Sequence, residues 1–117
     1  MAETVFEMMK ASAAASIPQY RQGLTEIDVP VLTGMVASLR AGLAPAPERT
    51  FRFLDAVAAC DHNSYQLLTQ LETQDLVGLH EGIRNSWGQF QAEPQKQAIR
   101  HLYQLIAAHF FVYHVQS

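Results

Sequence analysis

Apolar residues recur at spacings of three and four along almost the whole chain, and this helical periodicity constrains the fold more than any other feature. Nowhere does the sequence show the alternating runs rich in Val, Ile and Thr that are typical of β-strands. The closest candidate, residues 27–31, is interrupted by Pro30. The sequence therefore predicts an all-α protein.

Length and composition predict a single domain. The chain has 117 residues, of which 49% are hydrophobic and 16% are charged, against roughly 25% charged residues in an average soluble domain. This composition excludes an intrinsically disordered chain and a coiled-coil rod. Because domains commonly have on the order of 100 to 150 residues, we expect residues 1–117 to form one compact, irregular bundle of five or six helices with a long C-terminal helix.

Glycine and proline divide the N-terminal half of the chain into its predicted helices. The first stretch predicts a helix over residues 2–15, and Ser16 is expected to cap a short second helix that ends near Gly23. Asp28 is a candidate N-cap for the next helix. We expect the helix that begins after Asp28 to end at Gly42, with this glycine in the left-handed conformation.

The second half of the chain contains the longer predicted helices. Residues 43–47 predict a proline-stiffened connector, after which a further helix begins. Residues 61–64 are poor helix formers, so we expect that helix to end there, with one long helix through the segment as the alternative. Apolar residues then continue at helical spacing over residues 65–90. Pro94 marks the first turn of the final helix.

The C-terminal segment is the strongest functional signal. Nine of the eleven residues 105–115 are apolar or aromatic, and they form two adjacent stripes where a surface helix needs one. Such a helix requires either a central position in the bundle or burial against a second chain. We expect the second chain, because so small a bundle has few helices to surround one of its own, and two methionines near the N-terminus add an adaptable surface. The candidate interface consists of Leu105, Phe110, Phe111, Val112, Tyr113, Val115, Met8 and Met9.

The histidines do not have the spacing of a metal site. His80 and Glu81 match the first two residues of the zinc-protease pattern His-Glu-x-x-His, but Arg84 occupies the position of the second histidine ligand. His101 and His109 are eight residues apart, about 12 Å along a helix, which is too far to share one ion directly. We therefore expect no metal and no cofactor.

The sequence also lacks a recognisable catalytic constellation. Cys60, Asp61 and His62 have the residue types of an activated thiol, but adjacent residues on a helix point apart. We interpret Cys60 as a small buried residue at a helix end. The chain has neither a glycine-rich phosphate loop nor a Gly-x-Ser-x-Gly elbow, so we expect a protein that is not an enzyme.

The charge balance argues against nucleic acid as a partner. Eight Lys and Arg stand against eleven Asp and Glu, for a formal net charge of −3, and the basic residues form no patch. Residues 36–43 followed by 48–53 faintly resemble a helix-turn-helix, but the connector between them is longer than the usual three- to four-residue turn.

The chain has few features of an exported or membrane protein. It has a single cysteine, and Glu3 and Glu7 stand where a secretory signal carries Lys or Arg. It also lacks the roughly 18 consecutive apolar residues that span a bilayer. We therefore expect a cytoplasmic protein that does not bind membranes.

These observations predict a small, non-catalytic regulatory or adaptor protein that is homodimeric and acts by occluding or bridging another protein. These observations do not identify the partner. A transcription regulator is one candidate. A helical small-molecule or lipid binder, with a pocket involving Trp87, Phe90 and Phe110, is the first alternative. A helix-turn-helix DNA-binding protein is the second.

Overall fold

Six α-helices and one short 3-10 turn make up most of the chain within residues 2–43 and 45–115, which the computed structural model describes. No strand occurs in these two ranges, which confirms the all-α fold and the long C-terminal helix. Ala44, in the predicted connector, lies outside them. The helices are α1 (Ala2–Thr25), α2 (Val29–Leu43), α3 (Glu48–Ala58), α4 (Ser64–Thr69), α5 (Thr73–Ser86) and α6 (Glu93–His114), with the 3-10 turn Trp87–Gln89 directly after α5.

Helix α6 is central and packs against α1, α2 and α5. It is antiparallel to α1, because Gly23 near the end of α1 lies against His101 near the start of α6, whereas Phe6 lies against Phe111. Buried residues occur along α6 from Ala98 to His109, so this helix does occupy a central position in a single chain. The largest fully buried side chains of the core come from helices α2 to α6 and from Phe90 after the 3-10 turn: Leu32, Met35, Leu39, Phe53, Leu54, Leu68, Leu76, Leu79, Ile83, Phe90, Ile99 and Leu102.

The predicted division of the N-terminal segment into two helices is wrong, because α1 continues through Pro18. A proline in a helix interior costs about 3 kcal/mol, since it lacks the N–H for one helical bond. Continuation buries Ile17 and Leu24, and each such side chain stabilises the fold by roughly 1.5–3 kcal/mol. The packing of α1 thus outweighs the local signal of Pro18.

The predicted break at residues 61–64 is confirmed. Helix α3 ends at Ala58 and α4 begins at Ser64. The backbone N–H of Cys60 donates to the Val57 carbonyl at 3.0 Å, and that of Asp61 donates to the Ala56 carbonyl at 2.9 Å. These two bonds form a Schellman motif, which places Cys60 in the left-handed region with φ 54°.

The helical spacing over residues 65–90 does not correspond to one continuous helix, because the chain leaves the helix after Thr69 and starts α5 at Thr73. The new start is made by a capping box in which the Asp75 carboxylate accepts the backbone N–H of Glu72 at 2.9 Å. Arg49 of α3 donates to the same carboxylate. Tertiary pairing with a distant arginine therefore reinforces a helix start that apolar spacing does not reveal.

The expectation for Gly42 is also wrong. Helix α2 runs one residue further, and within the described ranges no glycine has a positive φ. The extra residue, Leu43, packs over Gly82 of α5, where a β-carbon would lie 2.4 Å from Leu43 Cδ2. Close packing between α2 and α5 thus extends α2 beyond its predicted end.

Candidate functional site

The start of α1 and the end of α6 meet at one end of the molecule, which we term the apolar end. Its aromatic contact is between Phe6 and Phe111, whose ring centroids lie 5.6 Å apart in an edge-to-face arrangement. The Lys10 ammonium lies 4.9 Å from the Phe6 ring centroid. The apolar end consists of Val5, Phe6, Met8 and Met9 of α1 with Phe111, Val112, Tyr113 and Val115 of α6 and its C-cap.

Most of the predicted interface residues are accessible at this end. Met8 is 66% exposed and Tyr113 is 64% exposed, and Met9 is also more than half exposed. Phe111, Val112 and Val115 are half-buried, as is Phe110 on a neighbouring face of α6. Leu105 is placed differently, since it is 3% exposed and belongs to the core of the single chain.

The large apolar side chains of the apolar end remain exposed because α1 is an outer helix. Its main contacts are with α6 alone. Of its described side chains only Ile17 and Leu24 are buried, and both lie in its second half. The first half of α1 therefore has one face on α6 and no second helix to cover its exposed methionines.

A polar network lies beside the apolar end, on the side of α6 that faces α4 and α5. His109 is 3% exposed, and its Nδ1 lies 3.3 Å from the Tyr65 hydroxyl. The His114 ring packs 5.6 Å from that of His109 and its Nδ1 lies 2.8 Å from the Thr73 hydroxyl. Burial, with a smaller contribution from nearby His114, lowers the pKa of His109 to about 4. His109 is therefore neutral at physiological pH.

The other histidines and Cys60 are dispersed. His101 covers Gly23, His80 stacks with Tyr103, and His62 lies beside Cys60 at a small cavity of about 120 Å³. Among the described side chains, no three His, Cys, Asp or Glu converge so as to hold a metal ion.

The basic residues of the faint helix-turn-helix segment point to carboxylates of the same chain. Arg40 of α2 pairs with Asp55 of α3, and Arg52 pairs with Glu48 at 3.3 Å. Arg49 binds Asp75 through two hydrogen bonds, which lower the pKa of that carboxyl group. These cations are partly neutralised within the chain, which weakens the case for phosphate binding.

The pocket predicted for the small-molecule alternative does not form from its three residues. Phe90 is 2% exposed and belongs to the core. Phe110 lines a cavity of about 170 Å³ between α5 and α6, and Trp87 lines a different, more open one.

These two cavities belong to a surface that the sequence analysis missed, which we term the α5–α6 groove. It is lined by Val77, His80 and Arg84 of α5, by Trp87 of the 3-10 turn, and by Tyr103 and Phe110 of α6. The four positions on the α5 side follow each other at intervals of three and four residues. That spacing is the signal that would have predicted a shared face, had the start of α5 at Thr73 been known.

No family model, no curated protein and no solved structure matches this chain. Within residues 2–43 and 45–115, every helix is too short or too polar to cross a membrane.

Proposed function

We propose that this protein is a non-catalytic regulator or adaptor that works by protein–protein interaction, and that the apolar end is its binding surface. The observations that carry the proposal are the exposure of Met8 and Met9 in the first half of α1 and of Tyr113 near the end of α6, at the end of the molecule where Phe6 packs on Phe111. A monomeric protein seldom exposes large apolar side chains together, and such patches commonly mark sites of association.

The chemistry of the apolar end favours a protein as its occupant. Methionine and aromatic side chains are enriched in the cores of protein interfaces, where charged residues are depleted. Unbranched methionines adapt their shape to different partners. Exposed Glu7, and Lys10 over the Phe6 ring, are the charged residues nearest in sequence to Met8 and Met9, and an interface commonly has such residues in its polar rim.

The proposal includes self-association. In a two-fold dimer the same patch on each chain covers its counterpart, so one apolar end is enough to bury both. A partner that binds the apolar end would then compete with the second copy. Binding a transcription regulator and hiding its working surface is one example of this activity.

Met8→Glu is the sharpest test because Met8 is exposed in the single chain, so a carboxylate there costs the monomer little. Val29→Glu is the matched control, since Val29 is also an exposed apolar residue but lies at the start of α2, after the opposite end of α1. Light scattering should give about 26 kDa for wild type and Val29→Glu, twice the 13.1 kDa of the chain, and about 13 kDa for Met8→Glu. A mass of 13 kDa for wild type across micromolar concentrations would exclude the dimer.

Phe111→Glu cannot by itself separate the interface from the fold, so Met8→Glu is the variant that tests partner binding. Phe111 contacts Phe6 within one chain, so this variant also weakens the packing of α1 on α6. A partner that copurifies with wild type and Val29→Glu from the native host should be lost with Met8→Glu. Unchanged copurification with Met8→Glu would show that the partner uses another surface.

A further inference from the structure

The α5–α6 groove is separate from the apolar end and has the shape of a binding site for a helix. Helices α5 and α6 are antiparallel, because Tyr103 contacts Trp87 and His80 whereas Phe110 lies beside Val77, earlier on α5. The α5 side of the groove extends over eleven residues from Val77 to Trp87 in the 3-10 turn, about 15 Å. Adjoining concavities follow it and share Arg84.

The side chains of the groove are those that dominate protein interfaces. Trp87 is 37% exposed although its ring packs edge-to-face on Tyr103, with 5.6 Å between the centroids. Val77 is 42% exposed at the other end, beside Phe110. Tryptophan, tyrosine and arginine are the residue types most enriched among interface hot spots, and here all three meet around one concavity.

The backbone of the groove selects a helical occupant over an extended one. The middle residues of α5 and α6 use their N–H and C=O groups within their own helices. An extended peptide laid in the groove would find no backbone partners for its own polar groups, whereas a helix satisfies them internally.

The spacing of the apolar sites matches one face of a helix. Tyr103 and Phe110 are seven residues apart, about 10.5 Å along α6, and side chains at i and i+7 of a docked helix have the same separation. The cavity of about 170 Å³ beside Phe110 is partly open to solvent and is large enough for one side chain. A cavity of about 150 Å³ is known to hold benzene, so a leucine or phenylalanine side chain fits this one.

Arg84, in the middle of the groove, determines which residue type the docked helix has between its apolar side chains at i and i+7. Arg84 is exposed, and among the described residues no carboxylate lies within 4 Å of its guanidinium. Glu81 lies one turn before Arg84 but does not pair with it within that distance. An arginine beside an apolar floor binds a carboxylate through paired N–H donors.

We infer that the α5–α6 groove is a second protein-binding surface, which takes an amphipathic helix of a partner protein. That helix has large apolar side chains at positions i and i+7 and an Asp or Glu at i+3 or i+4 that pairs with Arg84. A protein with this groove and an apolar end would bring two different chains together, as an adaptor does.

The test uses a display library of helical peptides with a fixed polar face, randomised at i, i+3, i+4 and i+7 and selected against the full chain. Enriched sequences should have large apolar residues at i and i+7 and an acid between them. Fluorescence anisotropy should then show that Arg84→Glu and Trp87→Ala each weaken a selected peptide at least tenfold. Replacing the acid of that peptide by Lys should restore its binding to Arg84→Glu.

Two control variants test whether the selected peptide binds specifically to the α5–α6 groove. Arg52→Glu alters an arginine that is likewise exposed but lies on α3, and Met8→Glu alters the apolar end, so both variants should bind the selected peptide as wild type does. Circular dichroism should give native helicity for every variant compared. Loss of binding in Met8→Glu alone would locate the peptide at the apolar end and overturn the inference without touching the proposed function.

Three other outcomes would also overturn the inference that the α5–α6 groove binds a partner helix. The library can yield no acid between the apolar positions, or the selected peptides can bind Arg84→Glu and Trp87→Ala as tightly as wild type. Alternatively, those two variants can turn a dimeric wild type into monomers, which would show that a second copy of this chain covers the groove.

Discussion

The imidazole ring of His101 lies against the backbone of Gly23 so closely that a β-carbon on residue 23 would be 2.6 Å from its Cε1 atom and 2.7 Å from its Nδ1 atom. Real β-carbons do not come within 3 Å of a neighbouring heavy atom, so the ring fits only because residue 23 is glycine. This contact lies where the end of α1 crosses the start of α6. It sets how closely the outer helix approaches the central one.

Gly23→Ala should therefore destabilise the protein even though alanine favours a helix by about 1 kcal/mol over glycine. The imidazole is rigid and must move as a whole, and overpacking of this kind typically costs roughly 1–3 kcal/mol. Urea unfolding should give a lower free energy of unfolding for Gly23→Ala than for wild type. In a His101→Ala background the ring is absent, so the same substitution should become stabilising. An unchanged sign in that background would refute the steric account.

The two glycines of α5 should respond differently to alanine, although their spacing of one turn suggests a shared role. A β-carbon on Gly78 would meet nothing within 4 Å, whereas one on Gly82 would collide with the Leu43 side chain. Gly78→Ala should raise the free energy of unfolding by about 1 kcal/mol through helix propensity alone. Gly82→Ala should gain less or lose stability, because Leu43 must shift. Equal effects in urea unfolding would contradict this assignment.

Cys60 is expected to be replaceable by glycine with a gain in stability. It occupies the left-handed position after α3 at φ 54°, which costs a residue with a β-carbon roughly 1–2 kcal/mol. Cys60→Gly removes that cost, partly offset by the greater entropy of glycine in the unfolded chain. Cys60→Ala is the control, since it removes the thiol and keeps the strain. Thermal unfolding should place Cys60→Gly above Cys60→Ala, and the reverse order would refute the strain argument.

The parts of the fold that could be predicted are those whose signal is local. The break around residues 61–64 follows from poor helix formers, and the start of α6 follows from Pro94 in a first turn. The course of α1 through Pro18 could not be predicted in this way, because it depends on burial of Ile17 and Leu24 against the rest of the bundle. The start of α5 likewise depends on a pairing between Arg49 and Asp75, which are 26 residues apart.

The two candidate surfaces differ in the same way: one has a local signal in the sequence, and the other depends on tertiary packing. The apolar end could be anticipated, because Met8, Met9 and Phe111 are too apolar for an ordinary surface helix. The α5–α6 groove was missed because it exists only once two helices pack. Trp87 and Tyr103 are distant in sequence, and Phe90, an aromatic residue three positions after Trp87, is in the core instead.

His109 should make the protein less stable in mild acid. In the folded chain its pKa is about 4, because the ring is buried, and neighbouring His114 also disfavours the charged form. Arg21, which lies over the Tyr65 ring, adds a further positive charge nearby. In the unfolded chain the pKa returns to about 6.5, so acid favours unfolding. The contribution of neutral His109 is fully present above pH 6.5 and is lost as the pH falls toward 4.

The effect of His109 is large enough to measure. A difference of this magnitude in pKa corresponds to on the order of 3 kcal/mol of stability, with a slope of at most about 1.4 kcal/mol per pH unit. Urea unfolding of wild type between pH 7 and pH 4.5 should show this decline. His109→Gln, which cannot be protonated, should be less stable at pH 7 but should have a flatter profile, whereas exposed His62→Gln should keep the wild-type slope. If His109→Gln retained that slope, the acid sensitivity would have to come from other groups.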